Sequence, residues 1–212
     1  MTDQSEKPAL LITGNSNVGK STITRLLLPH PKEYKGKSGK KPGSTLLIKS
    51  VEQEDLPFKI VDLPGFGYLK SSSRRREEHV KNQIISHVEN HHHEYFFALV
   101  VLNILRIEDE IEKYFIKNDQ TIPLSFEMIS FLHEFQIPIL VVLNKVDKVS
   151  IYDRKRILDQ LIESSWQYGI KLIPYREYDK QVVGIPYLEL SALKHTNLGK
   201  LKKGIYDHLP SS

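Results

Sequence analysis

The 212-residue chain contains no cysteine. That absence excludes disulfide staples, cysteine-ligated zinc and thiol nucleophiles together, and it agrees with a reducing, cytoplasmic setting. Long apolar runs are missing too: residues 95–102 and 137–143 are the longest, far short of the roughly 20 that cross a bilayer. The opening stretch, residues 1–8, lacks the charged-then-apolar layout of a secretory signal. A soluble, cytoplasmic protein with no membrane contact is expected. Internal repeats and long low-complexity linkers are also absent, so residues 1–212 read as one domain, long enough to bury a core unaided.

What is present begins with a modest excess of positive charge, +4 with a sequence pI near 9.0. Its distribution says more than its size. Lys32, Lys35, Lys37, Lys40 and Lys41 form one cluster, Lys70 with Arg74, Arg75 and Arg76 a second, and Lys194, Lys200, Lys202 and Lys203 a third, whereas Glu108, Asp109, Glu110 and Glu112 gather elsewhere. A basic face for nucleic-acid phosphates and an ordinary solvated surface are both open readings. His87 and the run His91-His92-His93 invite a metal site, but no carboxylate or cysteine pattern completes one, so a solvated helix end is preferred. Trp166, Tyr175, Tyr178 and Tyr187 read as packing residues rather than base-stacking platforms.

Close to the N-terminus stands Gly14-Asn15-Ser16-Asn17-Val18-Gly19-Lys20-Ser21, a complete G-x-x-x-x-G-K-S phosphate loop. Apolar residues 9–12 before it read as a buried strand, and residues 22–28 after it as an amphipathic helix, the context this motif requires. Gly14 and Gly19 let the backbone curl so that successive N–H groups point inward, and the helix N-terminus adds its partial positive charge. Lys20 then reaches the β- and γ-phosphates of a nucleotide, and Ser21 ligates Mg²⁺.

Residues 29–45, rich in Lys, Gly and Pro, read as a mobile loop. Residues 46–48 and 58–61 read as two strands of an antiparallel hairpin, the second running straight into Asp62-Leu63-Pro64-Gly65. A polar loop or helix start at residues 71–76 precedes a polar helix over 77–93, with Val80, Ile84, Ile85 and Val88 inward. Residues 96–102 form a buried strand, 104–120 resist assignment, and 123–135 have helical periodicity. A strand over 137–143 delivers Asn144-Lys145-Val146-Asp147 to its end; a helix over 151–168, an irregular stretch over 169–184, a strand over 187–190 ending in Ser191-Ala192-Leu193, and a helix over 198–209 complete the chain. Six strands alternating with helices, with every polar motif at a strand's C-terminal end, predict an α/β architecture with a largely parallel sheet and ligands along that edge.

Asn144-Lys145-Val146-Asp147 is N-K-x-D. The Asp147 carboxylate can accept from both the ring N–H and the exocyclic amine of guanine, a pairing adenine cannot offer. Lys145 can cover one face of the base and Asn144 can tie this loop to the phosphate loop. Ser191 and Ala192 match the S-A-x motif with which GTPases bring a backbone N–H to the guanine carbonyl.

Together with Lys41-Pro42-Gly43-Ser44-Thr45 and Asp62-Leu63-Pro64-Gly65-Phe66-Gly67-Tyr68, these motifs resemble the EngB (YihA/YsxC) family of GTP-binding proteins over nearly the whole chain, with features of its archaeal branch. The family usually has Arg where this chain has Asn15, and often Asp where it has Asn103. The resemblance implies a Ras-like P-loop GTPase fold, a three-layer domain whose mostly parallel six-stranded sheet has one antiparallel edge strand. It implies a monomeric GTPase acting as a switch in assembly of the large ribosomal subunit, in contact with rRNA and ribosomal proteins and not DNA. A nucleotide-regulated protein-interaction switch without an RNA role is the alternative. GTP and GDP would contact Gly14 through Ser21, Thr22, Asp62, Gly65, Asn144, Lys145, Asp147, Ser191 and Ala192. By the same resemblance Thr45 joins Ser21 on magnesium, Asp62 holds a magnesium-bound water, and Gly65 offers its N–H to the γ-phosphate, so that Lys20, Thr45 and Gly65 carry catalysis. Phe66 follows Gly65 where many signalling GTPases place a water-orienting glutamine, which predicts slow intrinsic hydrolysis that a partner or an ion accelerates. Asn17 either shapes the loop or, as in potassium-activated relatives, helps hold K⁺ beside the β/γ bridge.

Overall fold

The computed structural model describes residues 7–34, 48–65, 74–113, 123–179 and 182–211. Its centre is a seven-stranded sheet in the order β2-β3-β1-β4-β5-β7-β6. The strands are β1 (Ala9–Thr13), β2 (Lys49–Val51), β3 (Lys59–Asp62), β4 (Tyr95–Asn103), β5 (Ile139–Asn144), β6 (Leu172–Pro174) and β7 (Ile185–Leu190). All neighbours pair in parallel except β2, which runs antiparallel to β3 at one edge. The helices are α1 (Lys20–Leu27), α2 (Arg74–His91), α3 (Ile107–Ile111), α4 (Leu124–Glu134), α5 (Ile151–Gln167) and α6 (Leu198–Asp207).

Strand side chains alternate between the two faces, and this period builds both halves of the core. Ala9 and Leu11 of β1, Ala98, Val100 and Leu102 of β4, and Ile139, Val141 and Leu143 of β5 point to one face, where Ile84 and Val88 of α2, Ile129 and Leu132 of α4, and Ile157 and Leu161 of α5 cover them. Leu10 and Ile12, Phe97, Leu99 and Val101, and Leu140 and Val142 point to the other, under Ile23 and Leu27 of α1 and Leu201 and Ile205 of α6. Burial on both faces explains why β1, β4 and β5 read as unbroken apolar runs in the sequence.

Three expectations change. The sheet has seven strands rather than six, because Leu172–Pro174 pairs with Ile185–Pro186–Tyr187 inside a stretch that shows no strand period. Two of its residues are buried, yet at three residues β6 is too short to display alternation. The antiparallel edge strand lies at Lys49–Val51, just beyond the expected 46–48; Leu46 and Leu47 are outside the described residues. Trp166 is 64% exposed on α5 and is not a packing residue. Within 104–120, a 3₁₀ turn over Ile104–Arg106 leads into α3.

The histidine run ends α2 and continues as a 3₁₀ turn over His92–Glu94. The His91 and His92 rings bond the backbone oxygens of His87 and Glu89, while the His87 ring meets the Tyr95 hydroxyl at 2.8 Å and stacks on His91. The His91 and His92 rings help to finish the helix and the His87 ring holds Tyr95, and no cluster able to hold a metal ion occurs among the described residues. Nor, among them, is any helix long and apolar enough to cross a membrane.

Candidate functional site

β1, β3, β4 and β5 end side by side, so the turns that leave them share one edge of the sheet. The phosphate loop occupies the middle of that edge. Gly14 (φ +136°), Asn17 (φ +63°) and Gly19 (φ +109°) hold the positive φ angles that curl it. Glycine is required at its ends for a second reason, close approach. A Cβ on Gly14 would fall 2.2 Å from Val101 O, and one on Gly19 would fall 2.3 Å from Asn144 Nδ2. Asn17 is exposed and takes the left-handed conformation that asparagine tolerates better than most residues.

Lys20 opens α1 and turns back under the loop, donating from Nζ to Gly14 O (2.9 Å) and Asn15 O (3.1 Å). Burial pushes its ammonium down to about 8, against the pull of the Asp62 carboxylate. A buried cation held against carbonyl oxygens is poised to exchange them for an anion. Thr24 Oγ1 donates to Lys20 O and Ile23 N to Gly19 O, which fastens the first helical turn; Thr22 N donates to Gly19 O and its side chain is exposed.

Asp62 ends β3 next to this turn and is 1% exposed. Burial raises its carboxyl above the usual carboxylate range, with Lys20 and hydrogen bonds from Tyr34 and Ser21 opposing that rise. Asp62 Oδ1 and Thr13 Oγ1 are the buried side-chain oxygens without a hydrogen-bond partner among the described residues, and they sit at the ends of adjacent strands. An uncompensated buried carboxylate oxygen beside a serine hydroxyl is an all-oxygen donor set, which suits a small hard cation and its water ligands. Gly65 lies against the loop as well: a Cβ there would come 2.7 Å from Ser16 Oγ and 2.8 Å from Ser16 N.

The base-binding motifs are joined to the loop by direct bonds. Asn144, buried at the end of β5, donates from Nδ2 to Val18 O (2.8 Å) and accepts from Ala192 N at Oδ1 (3.0 Å). Lys145, at φ +70°, sends its Nζ across to Asn17 O at 2.7 Å. Ser191 donates from Oγ to Asp147 Oδ1 at 2.6 Å and itself accepts from Lys194 N. That hydroxyl is the main reason the Asp147 carboxyl is held below its usual range, with a backbone N–H, Lys148 and Lys194 adding to it. The ionised form is thereby favoured, and the carboxylate is held in one orientation.

Asn144 therefore serves as a tie. With alanine in its place, Val18 O and Ala192 N lose buried partners and the loops part. We expect Asn144→Ala to cost about 2–3 kcal/mol, a drop of about 4–10 °C in the thermal midpoint, and to weaken GDP binding in parallel calorimetry. An unshifted midpoint would show that the loops hold each other without it.

Most sequence-predicted site residues thus converge: Gly14 through Ser21, Asp62, Gly65, Asn144, Lys145, Asp147, Ser191 and Ala192. Thr45, with the rest of Lys41-Pro42-Gly43-Ser44-Thr45, lies outside the described residues, as do Phe66, Gly67 and Tyr68. Two contributors escape sequence reasoning. Glu110 Oε1 accepts from Asn15 Nδ2 at 2.8 Å, fastening the predicted loop to α3, which in turn is paired to α5 through Glu108 and Arg156. Tyr34, 8% exposed, directs its hydroxyl at Asp62. No motif marks either one, since both contacts join segments with no local pattern.

Comparison with known proteins finds GTP-binding relatives. A family model described as 50S ribosome-binding GTPase matches residues 9–145. The chain is 27% identical to the probable GTP-binding protein EngB of Methanococcus aeolicus, over 98% of this chain and 86% of that protein. It is 30% identical to the probable GTP-binding protein EngB of Pyrococcus abyssi, over 93% of this chain and 84% of that one. A crystal structure of a probable GTP-binding protein EngB has a TM-score of 0.74 and 28% identity, covering 95% of this chain and 98% of the other. Era from Aquifex aeolicus, crystallised with GDP·AlF₄⁻, has a TM-score of 0.58 at 22% identity and covers 97% and 57%.

Proposed function

Because the chain belongs to the EngB family of GTP-binding proteins and has the P-loop GTPase fold, we propose that it is a slow GTPase whose nucleotide state controls its binding to the assembling large ribosomal subunit. The observation that carries the nucleotide half of this reading is Asn144, which links the phosphate loop at Val18 to the base loop at Ala192. Phosphate and base recognition are mechanically one site.

In this reading the loop N–H groups and Lys20 receive the phosphates, with Lys20 giving up its carbonyl contacts as it does so. Asp147, Lys145 and Ala192 receive guanine. Ser21 and Thr45 would ligate Mg²⁺ and Asp62 would hold one of its waters; when bound, the ion would supply charge neutralisation for the phosphates. Thr45 on the ion and the Gly65 N–H on the γ-phosphate would be engaged only while the third phosphate is present, so its loss would free both and change the surface offered to a partner. Phe66 cannot orient a water. We therefore expect single-turnover hydrolysis on the order of 10⁻³ s⁻¹ or slower without a partner. Asn17 acts by shaping the loop, supported by its positive φ and by Lys145 bonding its carbonyl; equal rates in K⁺ and Na⁺ are expected, and a marked K⁺ stimulation would assign it an ion instead.

The ribosomal half is tested by sedimentation. The full chain, loaded with a non-hydrolysable GTP analogue or with GDP, is centrifuged with large subunits over a series of salt concentrations. Binding in the GTP-analogue state that weakens steeply with salt supports contact with rRNA phosphates. Equal recovery in both states, or none in either, would leave the protein-interaction switch as the better description.

A further inference from the structure

Asn15 is held by both of its polar ends. Its carbonyl accepts from Lys20 Nζ at 3.1 Å, and its side-chain Nδ2 donates to Glu110 Oε1 at 2.8 Å. Glu110 is presented from a firm base. Within α3, Ile107 is buried, Ile111 packs against the same core cluster, and Glu108 accepts from both terminal nitrogens of Arg156 on α5. The loop's other side-chain clamps lie further along, where Lys145 bonds Asn17 O and Asn144 bonds Val18 O. Glu110 thus fastens the opening of the loop and those two residues its middle.

A carboxylate is a costly neighbour for a loop that receives phosphates, since its charge opposes theirs. Burial also raises the Glu110 carboxyl above its usual range, opposed by the Asn15 bond and by Arg106 and Lys113, while Asp109 adds to the rise. We propose that Glu110 is a positioning residue for nucleotide binding, acting through the Asn15 side chain to hold the opening of the phosphate loop in the shape that receives the phosphates. This rests on the nucleotide reading given above. In that reading Lys20 leaves the Asn15 carbonyl for the phosphates, so the loop loses a tether as the ligand arrives. The bond to Glu110 uses the amide nitrogen of the side chain instead, and it stays in place through the exchange. A loop already held in its bound shape loses less conformational freedom on binding, and the ligand leaves it more slowly.

The test separates this hydrogen bond from the charge. Glu110→Gln and Glu110→Met remove the same negative charge and keep a similar side-chain length, but only glutamine retains an oxygen that can accept from Asn15. GDP is titrated calorimetrically into the full chain at fixed Mg²⁺, well below the thermal midpoint of every variant, and release of a fluorescent GDP analogue is followed by stopped flow. Glu110→Met should bind GDP roughly 3- to 10-fold more weakly than Glu110→Gln, through faster release. With Asn15→Ala added to each, the two should bind alike, because the donor is gone. Equal affinity of the glutamine and methionine variants while Asn15 is present overturns the proposal. A difference that persists after Asn15→Ala overturns it too, since Glu110 would then act by another route. Should the parent chain fail to bind GDP, the nucleotide reading itself falls and this role with it; a parent that binds GDP, with the two Glu110 variants alike, removes only the role of Glu110.

Discussion

Replacing Asp147 by asparagine is expected to lower GDP affinity by about 10²- to 10³-fold and to create measurable affinity for xanthosine diphosphate. The carboxylate can accept two hydrogen bonds from guanine, one from the ring N–H and one from the amine, and bonds to a charged acceptor contribute about 1.5–3 kcal/mol each. An amide turns one of those acceptors into a donor, which meets the guanine amine head-on. Xanthine carries a carbonyl where guanine has the amine, so it complements the same amide. The structure gives this change a clean background, because Ser191 Oγ bonds Asp147 Oδ1 and can bond an asparagine oxygen equally well. The fold should be untouched. Calorimetric titration of both proteins with GDP and xanthosine diphosphate is the measurement; equal GDP affinity in the two would remove guanine from the assignment.

The second large effect is predicted for Gly14→Ala, and it falls on the scaffold as much as on binding. At φ +136° an L-residue is strained, and the new Cβ would meet Val101 O at 2.2 Å and Val101 C at 3.1 Å, both backbone atoms of the central strand β4. Neither atom can swing aside as the tip of a side chain can. We expect a loss of more than about 3 kcal/mol, seen as a fall of about 10 °C in the thermal midpoint, together with loss of GDP binding as the loop lifts off the sheet. Gly199→Ala is the internal comparison. Gly199 lies in the first turn of α6 with nothing within 4 Å of its Cβ position and no positive φ, so alanine there should be neutral or stabilise by about 0.5–1 kcal/mol. A Gly14→Ala protein as stable as the Gly199→Ala protein would contradict the close packing of loop on strand.

Much of the site was legible because its chemistry is contiguous. Gly14 to Ser21 and Asn144 to Asp147 are strings whose spacing is dictated by a ligand, so the ligand's shape is written into a few adjacent residues. The strands behind them were legible for a related reason, since burial on both faces forces apolar runs such as residues 96–102. Where the signal failed, the element was short or its partner distant. β6 holds three residues and owes its existence to pairing with β7, so no local period announces it. Trp166 looked like core by composition, yet its position on α5 turns it outward. Glu110 read as one member of an acidic surface stretch, but the course of α3 brings it to Asn15, 95 residues earlier in the chain.

By itself, then, the sequence determined a nucleotide site, its preference for guanine, the parallel character of the sheet and the family to which the chain belongs. Each of these rests on residues close together in the chain or on a period of two along a strand. Only the tertiary structure decided that the Asn144 side chain also holds Ala192, that Glu110 braces Asn15 and that Tyr34 directs its hydroxyl at Asp62. Those contacts join segments that meet only because the parallel strands end along one edge, and the order of strands in a sheet is set by long-range packing that no short stretch of sequence encodes.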